Sequence, residues 1–196
     1  DGIEAGLDAQ RDQIIDICQS VGAREVRQAE NEQHRQQLWK ARKQAFGAIG
    51  RLASSLVTQD GVVPRTQIPQ MYKKIMEIGK KYDIQIVNVF HAGDGNIHPV
   101  MLFDERDPSQ TERVLQAGGE ILQACLDAGG SVTGEHGIGV EKVQFMKKMF
   151  SEDDLDVMSA LRTAFNPDNR LSPDKMLPTS CACGFERKAP SKMVAM

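Results

Sequence analysis

The stretch IQIVNVFHAGDGNIHPVMLF (84–103) decides the fold. Its two halves, IQIVNVFH (84–91) and IHPVMLF (97–103), are short and rich in β-branched residues. Between them, Gly93-Asp94-Gly95-Asn96 has the chemistry of a tight turn, so the pattern predicts an antiparallel hairpin. Helical patterns flank it on both sides. Residues 69–82 place Pro69 in a first turn, where Pro is tolerated, and then Met71, Ile75, Ile78 and Tyr82 on one stripe. Residues 109–128 form an amphipathic helix closed by Gly129-Gly130. Upstream, LVTQDGVVPR (56–65) reads as a strand with a kink or bulge at Asp60-Gly61, and SVTG (131–134) as a short strand leading into a Gly-rich loop. No regular βαβ beat runs through these elements. The expected class is therefore α+β, a mostly antiparallel sheet with helices on one face.

Further out, residues 7–21 carry Ile14, Ile15, Ile17, Cys18 and Val21 at helical spacing, with Gly22 as the stop. AREVRQ (24–29) is expected as a short strand. Residues 30–49 are expected as a longer helix with Leu38, Trp39, Arg42, Ala45 and Phe46 on one stripe. Two helices follow the Gly-rich loop, at about 140–150 and 152–165. The second opens with a capping-box pattern from Ser151 to Asp154. Three X-Pro pairs then give an extended run to residue 178, and the tail 179–196 lacks periodicity and is expected to be mobile.

Composition removes several function classes. The 196 residues hold 24 Lys and Arg against 27 Asp and Glu, a net charge of −3, so no basic field points to nucleic acid. No apolar run approaches the ~20 residues of a membrane helix. Four Cys make no disulfide framework; Cys18 and Cys125 read as small apolar residues, and Cys181 and Cys183 stay unassigned. No signal peptide is evident, so the cytoplasm is the default location. The chain opens Asp1-Gly2 rather than with Met, which reads as a missing natural start.

Chemistry concentrates in two Gly-rich segments. In the hairpin, His91 and His98 fall near the closed end, where two neutral imidazoles on a stiff support suit a divalent metal; one turn-capping and one exposed His would look the same. In Gly134-Glu135-His136-Gly137-Ile138-Gly139, the glycines let an adjacent carboxylate and imidazole reach one pocket, a third metal ligand and a base, or else form a solvated turn. A G-x-G-x-x-G fingerprint is incomplete there. Arg42, on the apolar side of its helix, and Arg65, at the end of DGVVPR, are candidates for an anionic carboxylate or for plain salt bridges. A metal-dependent hydrolase built on His91, His98 and Glu135, and a non-catalytic cap or assembly module, are two readings these residues allow.

VFHAGDGNIHP (89–99), SVTGEHGIGVEK (131–142) and FNPDNRLSPDKMLP (165–178), with WKARKQAF (39–46) and QDGVVPRTQIP (59–69), together resemble the C-terminal part of FAD-linked 2-hydroxy acid oxidases of the vanillyl-alcohol-oxidase type. That family includes glycolate oxidases and D-lactate dehydrogenases. The resemblance covers about residues 1–180. It implies a substrate-capping domain over 1–178, with a ferredoxin-like sheet and C-terminal helices. It implies a divalent metal (Zn, Mn or Fe) on His91, His98 and Glu135, with His136 as catalytic base. Arg42 would clamp the substrate carboxylate, Arg65 would assist, and Asn166 would touch the cofactor. FAD would be held mainly by an N-terminal domain absent from this chain, so the chain alone is expected to bind FAD poorly and to be inactive as an oxidase. The implied substrate is a small 2-hydroxy acid, glycolate or D-lactate, oxidised to the 2-oxo acid. Pro99-Val100, where some relatives carry a polar Asn, favours a monocarboxylate. The implied partners are iron–sulfur and second flavin-type subunits, with peripheral attachment to the inner membrane through them left open.

Overall fold

A computed structural model describes residues 3–178. These fall into two compact units, one ending at Ile49 and one beginning at Gly50. The first unit consists of two helices, α1 (Glu4–Ser20) and α2 (Glu32–Ile49). Gly22, at φ +85°, ends α1 as the sequence predicts. Residues 24–29 are not a strand. They run as exposed irregular chain in which Arg27 and Glu25 pair with each other, and no described strand pairs with them. A strand needs a partner, which local composition cannot supply. Much of the apolar stripe of α2 is also exposed, including Trp39 and Phe46.

The second unit carries the sheet. β1 (Ser55–Thr58) and β2 (Gly61–Val62) lie end to end along one edge of β4 (Asn96–Phe103), and β3 (Gln85–His91) pairs with its other edge, all antiparallel. Thr58 opposes Val100 and Gly61 opposes Ile97, so β1 and β2 keep one register. The expected bulge at Asp60-Gly61 is therefore a break without an extra residue. Its cause is Pro99, which accepts from the Gln59 N–H at 3.0 Å but has no N–H to return. Asp60 thereby comes to face His98 across the gap. The SVTG segment shrinks to one antiparallel bridge, Ser131 with Val62. Read in chain order, strand, α3 (Ile68–Lys81), β3, β4, α4 (Pro108–Asp127) and bridging segment make the βαββαβ arrangement of ferredoxin-like folds.

Side chains alternate across β4. Ile97 and Met101 join Ile75 and Ile78 of α3, Ala117, Ile121 and Cys125 of α4, and Ile86 of β3 in the main core. Asn96, His98 and Val100 therefore project from the opposite face, away from these helices. A second cluster of Leu122, Val132 and Phe145, with Ile138 and Met149 against it, ties α5 (Val143–Met149) and the flanks of the Gly-rich loop to α4. α6 (Glu152–Phe165) starts with the predicted capping box, Ser151 Oγ accepting from the Asp154 N–H at 3.2 Å. The expected mobile tail at 179–196, with Cys181 and Cys183, lies outside the described residues.

Candidate functional site

The hairpin closes through Gly95, whose φ of +78° favours glycine, and whose missing Cβ leaves room for the Val63 carbonyl. In the resulting register Val89 opposes His98 and His91 opposes Asn96, so the two imidazoles sit diagonally on one sheet face. Their ring centroids are 5.3 Å apart at 88°. His98 is buried and His91 is partly exposed.

The Gly-rich loop brings the third group. Gly134 packs so closely on Asn96 that a Cβ would lie 2.8 Å from its amide carbon, which presses the loop onto the hairpin. Glu135 then reaches both histidines: Oε1 lies 3.6 Å from His91 Nε2, and Oε2 lies 3.4 Å from His98 Nε2. One ligand atom from each of His91, His98 and Glu135 lies within 4.8 Å of the others. These gaps exceed the 2.7–2.9 Å typical of a charge-assisted hydrogen bond. They match the roughly 3.4 Å between neighbouring ligand atoms set by metal bonds of about 2.0–2.2 Å. Two imidazole nitrogens and a carboxylate oxygen suit a divalent ion of the Zn, Mn or Fe type. His136, the next residue, stacks on His98 with centroids 5.2 Å apart at 23°. Three of the four histidines in the chain therefore meet at one place.

Behind this cluster lies a pair the sequence reading missed. Asp60 is fully buried, and its carboxylate accepts from Thr133 Oγ1 at 2.7 Å and from the backbone N–H groups of Gly134, Glu135 and His136 at 3.0, 3.1 and 2.9 Å. Burial pushes this carboxyl up, but the hydrogen bonds from Thr133 and the three N–H groups outweigh it and hold it well below the ordinary range. Lys142, also buried, donates to the Asp60 carbonyl at 2.8 Å and lies 3.6 Å from the carboxylate. Burial lowers its ammonium pKa, with the Asp60 charge opposing. An acid between apolar strand residues, in TQDGVV, was the available signal.

The other predicted residues are placed differently. The Arg42 guanidinium is exposed on α2 and lies over the Trp39 ring, 5.5 Å from its centroid, with no carboxylate partner among the described residues. The expected buried-side position is thus not seen within this unit. Arg65 opens an exposed 3-10 turn. Asn166 spends its amide on the following loop, Oδ1 accepting from the N–H groups of Arg170 and Leu171 at 2.8 and 3.0 Å.

A ferredoxin-like sheet here gathers two histidines, a glutamate and a stacked third imidazole at one hairpin end, a set of groups that could hold a divalent cation beside a proton acceptor. The chain belongs to the FAD linked oxidases, C-terminal domain family, whose model matches residues 1–176. It is 40 % identical over 183 residues to glycolate oxidase subunit GlcD of Escherichia coli (strain K12), covering 93 % of this chain and 37 % of that protein. Similarity to GlcD of Bacillus subtilis (strain 168) is 39 % over 176 residues, covering 90 % and 37 %. A D-lactate dehydrogenase of Archaeoglobus fulgidus is 28 % identical over 161 residues, covering 82 % and 35 %. The chain thus spans a little over a third of the length of these curated relatives. No described helix is long and apolar enough to cross a membrane.

Proposed function

We propose that this chain is the substrate-binding part of a flavin-dependent oxidoreductase that converts a small 2-hydroxy acid, glycolate or D-lactate, to the 2-oxo acid. The observation that carries this reading is the meeting of His91, His98 and Glu135 beside His136. Family membership and the names of its relatives support the same chemistry. His91, His98 and Glu135 would hold a divalent ion. When bound, that ion supplies positive charge toward the substrate oxygens, and FAD supplies the two-electron acceptor.

The chain's own residues have distinct tasks in this reading. His136 takes the proton of the substrate hydroxyl, and its stacking on the buried His98 ring fixes its height above the sheet. Loss of that proton raises electron density on the α-carbon and promotes departure of the α-hydrogen with its electron pair. Arg42 and Arg65 are the guanidinium donors assigned to the substrate carboxylate. Pro99-Val100 stands where some relatives carry a polar Asn, which favours a small monocarboxylate. As a subunit of a multisubunit glycolate oxidase, the protein would work with an iron–sulfur subunit and a second flavin-type subunit.

Stopped-flow flavin bleaching of the full-length polypeptide with glycolate and D-lactate tests this reading. Bleaching by at least one of them is expected, and His136→Ala should abolish it while leaving flavin bound. No bleaching by any 2-hydroxy acid, or near-normal reduction in His136→Ala, would overturn it.

A further inference from the structure

The Asp60–Lys142 pair has no packing reason to be where it is. Burying a carboxylate and an ammonium is costly unless both are paired and hydrogen-bonded, and an apolar pair is usually at least as stable. Asp60 sits at the break between β1 and β2, opposite His98 in the strand register. One of its oxygens, Oδ2, collects all four donors from the loop: Thr133 Oγ1 and the N–H groups of Gly134, Glu135 and His136. Three consecutive amides turned toward one anion form an anion-binding concavity, here filled by a side chain of the same chain. Thr133 Oγ1 also accepts from the Gly137 N–H at 2.8 Å, which closes the loop on its far side.

The second oxygen, Oδ1, shares the Glu135 N–H at 3.3 Å and lies on the side of His98. It lies 4.0 Å from Nδ1 of His98, a buried nitrogen with no hydrogen-bond partner. The other nitrogen of that ring, Nε2, is the one aimed at Glu135. For Nε2 to offer a lone pair to a cation, the ring proton must sit on Nδ1, and a carboxylate on that side favours this tautomer. Lys142 anchors Asp60 from behind through its carbonyl.

We propose that Asp60 is the positioning residue of this site, holding Glu135 and His136 in place through the loop amides beside the buried His98. The proposal builds on the reading of His91, His98 and Glu135 as a cation site, but its central claim concerns the loop and stands apart from flavin chemistry. Asp60 touches neither substrate nor reacting atoms. It acts through the three residues it holds.

Asp60→Asn in the full chain tests it, with two readouts. Amide hydrogen exchange, resolved by residue, should show protection of Gly134, Glu135 and His136 falling by about tenfold or more, with Ile86, Val100 and Met101 unchanged. Zn²⁺ titrated alone should bind about 10–100-fold more weakly, the usual effect of removing a group behind the ligands. Thr133→Val, which removes one donor and leaves the carboxylate, should give a smaller loss at the same amides and keeps the test alive if Asp60→Asn does not fold. Folded variants with loop protection and Zn²⁺ affinity at the level of the original chain would overturn the proposal. If the unaltered chain fails to bind Zn²⁺, the cation reading falls, and the exchange result still decides whether Asp60 holds the loop.

Discussion

Gly130→Ala should destabilise the chain by about 2–3 kcal/mol, and the reason is purely steric. Gly130 does not have a positive φ, so alanine meets no backbone strain there. An added Cβ would instead run into the Val62 carbonyl oxygen, lying 2.8 Å from the Val62 carbonyl carbon and 2.9 Å from the Cys125 carbonyl oxygen. All of these are backbone atoms of packed elements and cannot swing aside. The strand-like bridge must open, which releases Val62 N–H to Ser131 O at 2.8 Å, Ser131 N–H to Val62 O at 2.9 Å, and Gly130 N–H to Cys125 O at 2.9 Å. At about 1 kcal/mol net for each hydrogen bond, three make roughly 3 kcal/mol, less whatever relaxation restores. For a chain of this size that is a fall of about 5–10 °C in Tm, read by far-UV circular dichroism. The same bridge starts the run that carries Glu135 to the hairpin, so Zn²⁺ affinity should fall with it. Gly119→Ala is the control. That position, inside α4, has open space around a new Cβ. Alanine there should stabilise by about 0.5–1 kcal/mol. A Gly130→Ala chain that melts with the original, or a Gly119→Ala chain that loses as much, would refute the reasoning.

Other outcomes follow from single contacts. Glu135→Gln should weaken Zn²⁺ binding by more than the roughly 10–100-fold of a change behind the ligands. Because Glu135 is half exposed, its stability should move by less than about 0.5 kcal/mol in urea unfolding; unchanged affinity would remove it from the site. Ser151→Ala deletes the cap of α6 and should cost about 1 kcal/mol, visible as a lower urea midpoint. Burial pushes the Cys125 thiol up to about 12, so native Cys125 should resist iodoacetamide at pH 8 by peptide mapping and react once unfolded. Because its folded value lies above its unfolded one, this thiol's contribution is complete below about pH 8.5 and is lost as pH rises from there toward about 12. Labelling of native Cys125 as fast as that of the partly exposed Cys18 would contradict the burial.

Features set by neighbours in sequence were legible, and features set by distant partners were not. The hairpin at 84–103, the stripe Met71, Ile75, Ile78 and the Ser151 cap all depend on spacing within a few residues, and each is found where the pattern places it. AREVRQ (24–29) has strand-like composition but no partner, and pairing is not written in six residues. SVTG keeps only the Ser131 bridge because the loop amides that follow turn to Asp60 instead of to a strand. Asp60 itself escaped notice because its donors lie 73 to 76 positions away. His91, His98, Glu135 and His136 stand out in the sequence because histidines are few and the glycines around them are dense, and the fold brings all four together.

The distribution of rigidity among the three candidate ligands has a consequence for how the site would respond to its contents. His98 is buried on the central strand, with β1/β2 on one side and β3 on the other, so its ring has little freedom. His91 ends its strand and is partly exposed, while Glu135 is half exposed on a loop. An ion entering here would therefore take its position from His98, and His91 and Glu135 would adjust to it. His136 stacks on His98, so the candidate base would be referenced to the stiffest candidate ligand rather than to its neighbour Glu135. Binding and proton transfer would then share one rigid reference, the strand that carries His98. The loop needs only to be held against that strand, a task for which Gly134 supplies the fit and Asp60 the hydrogen bonds.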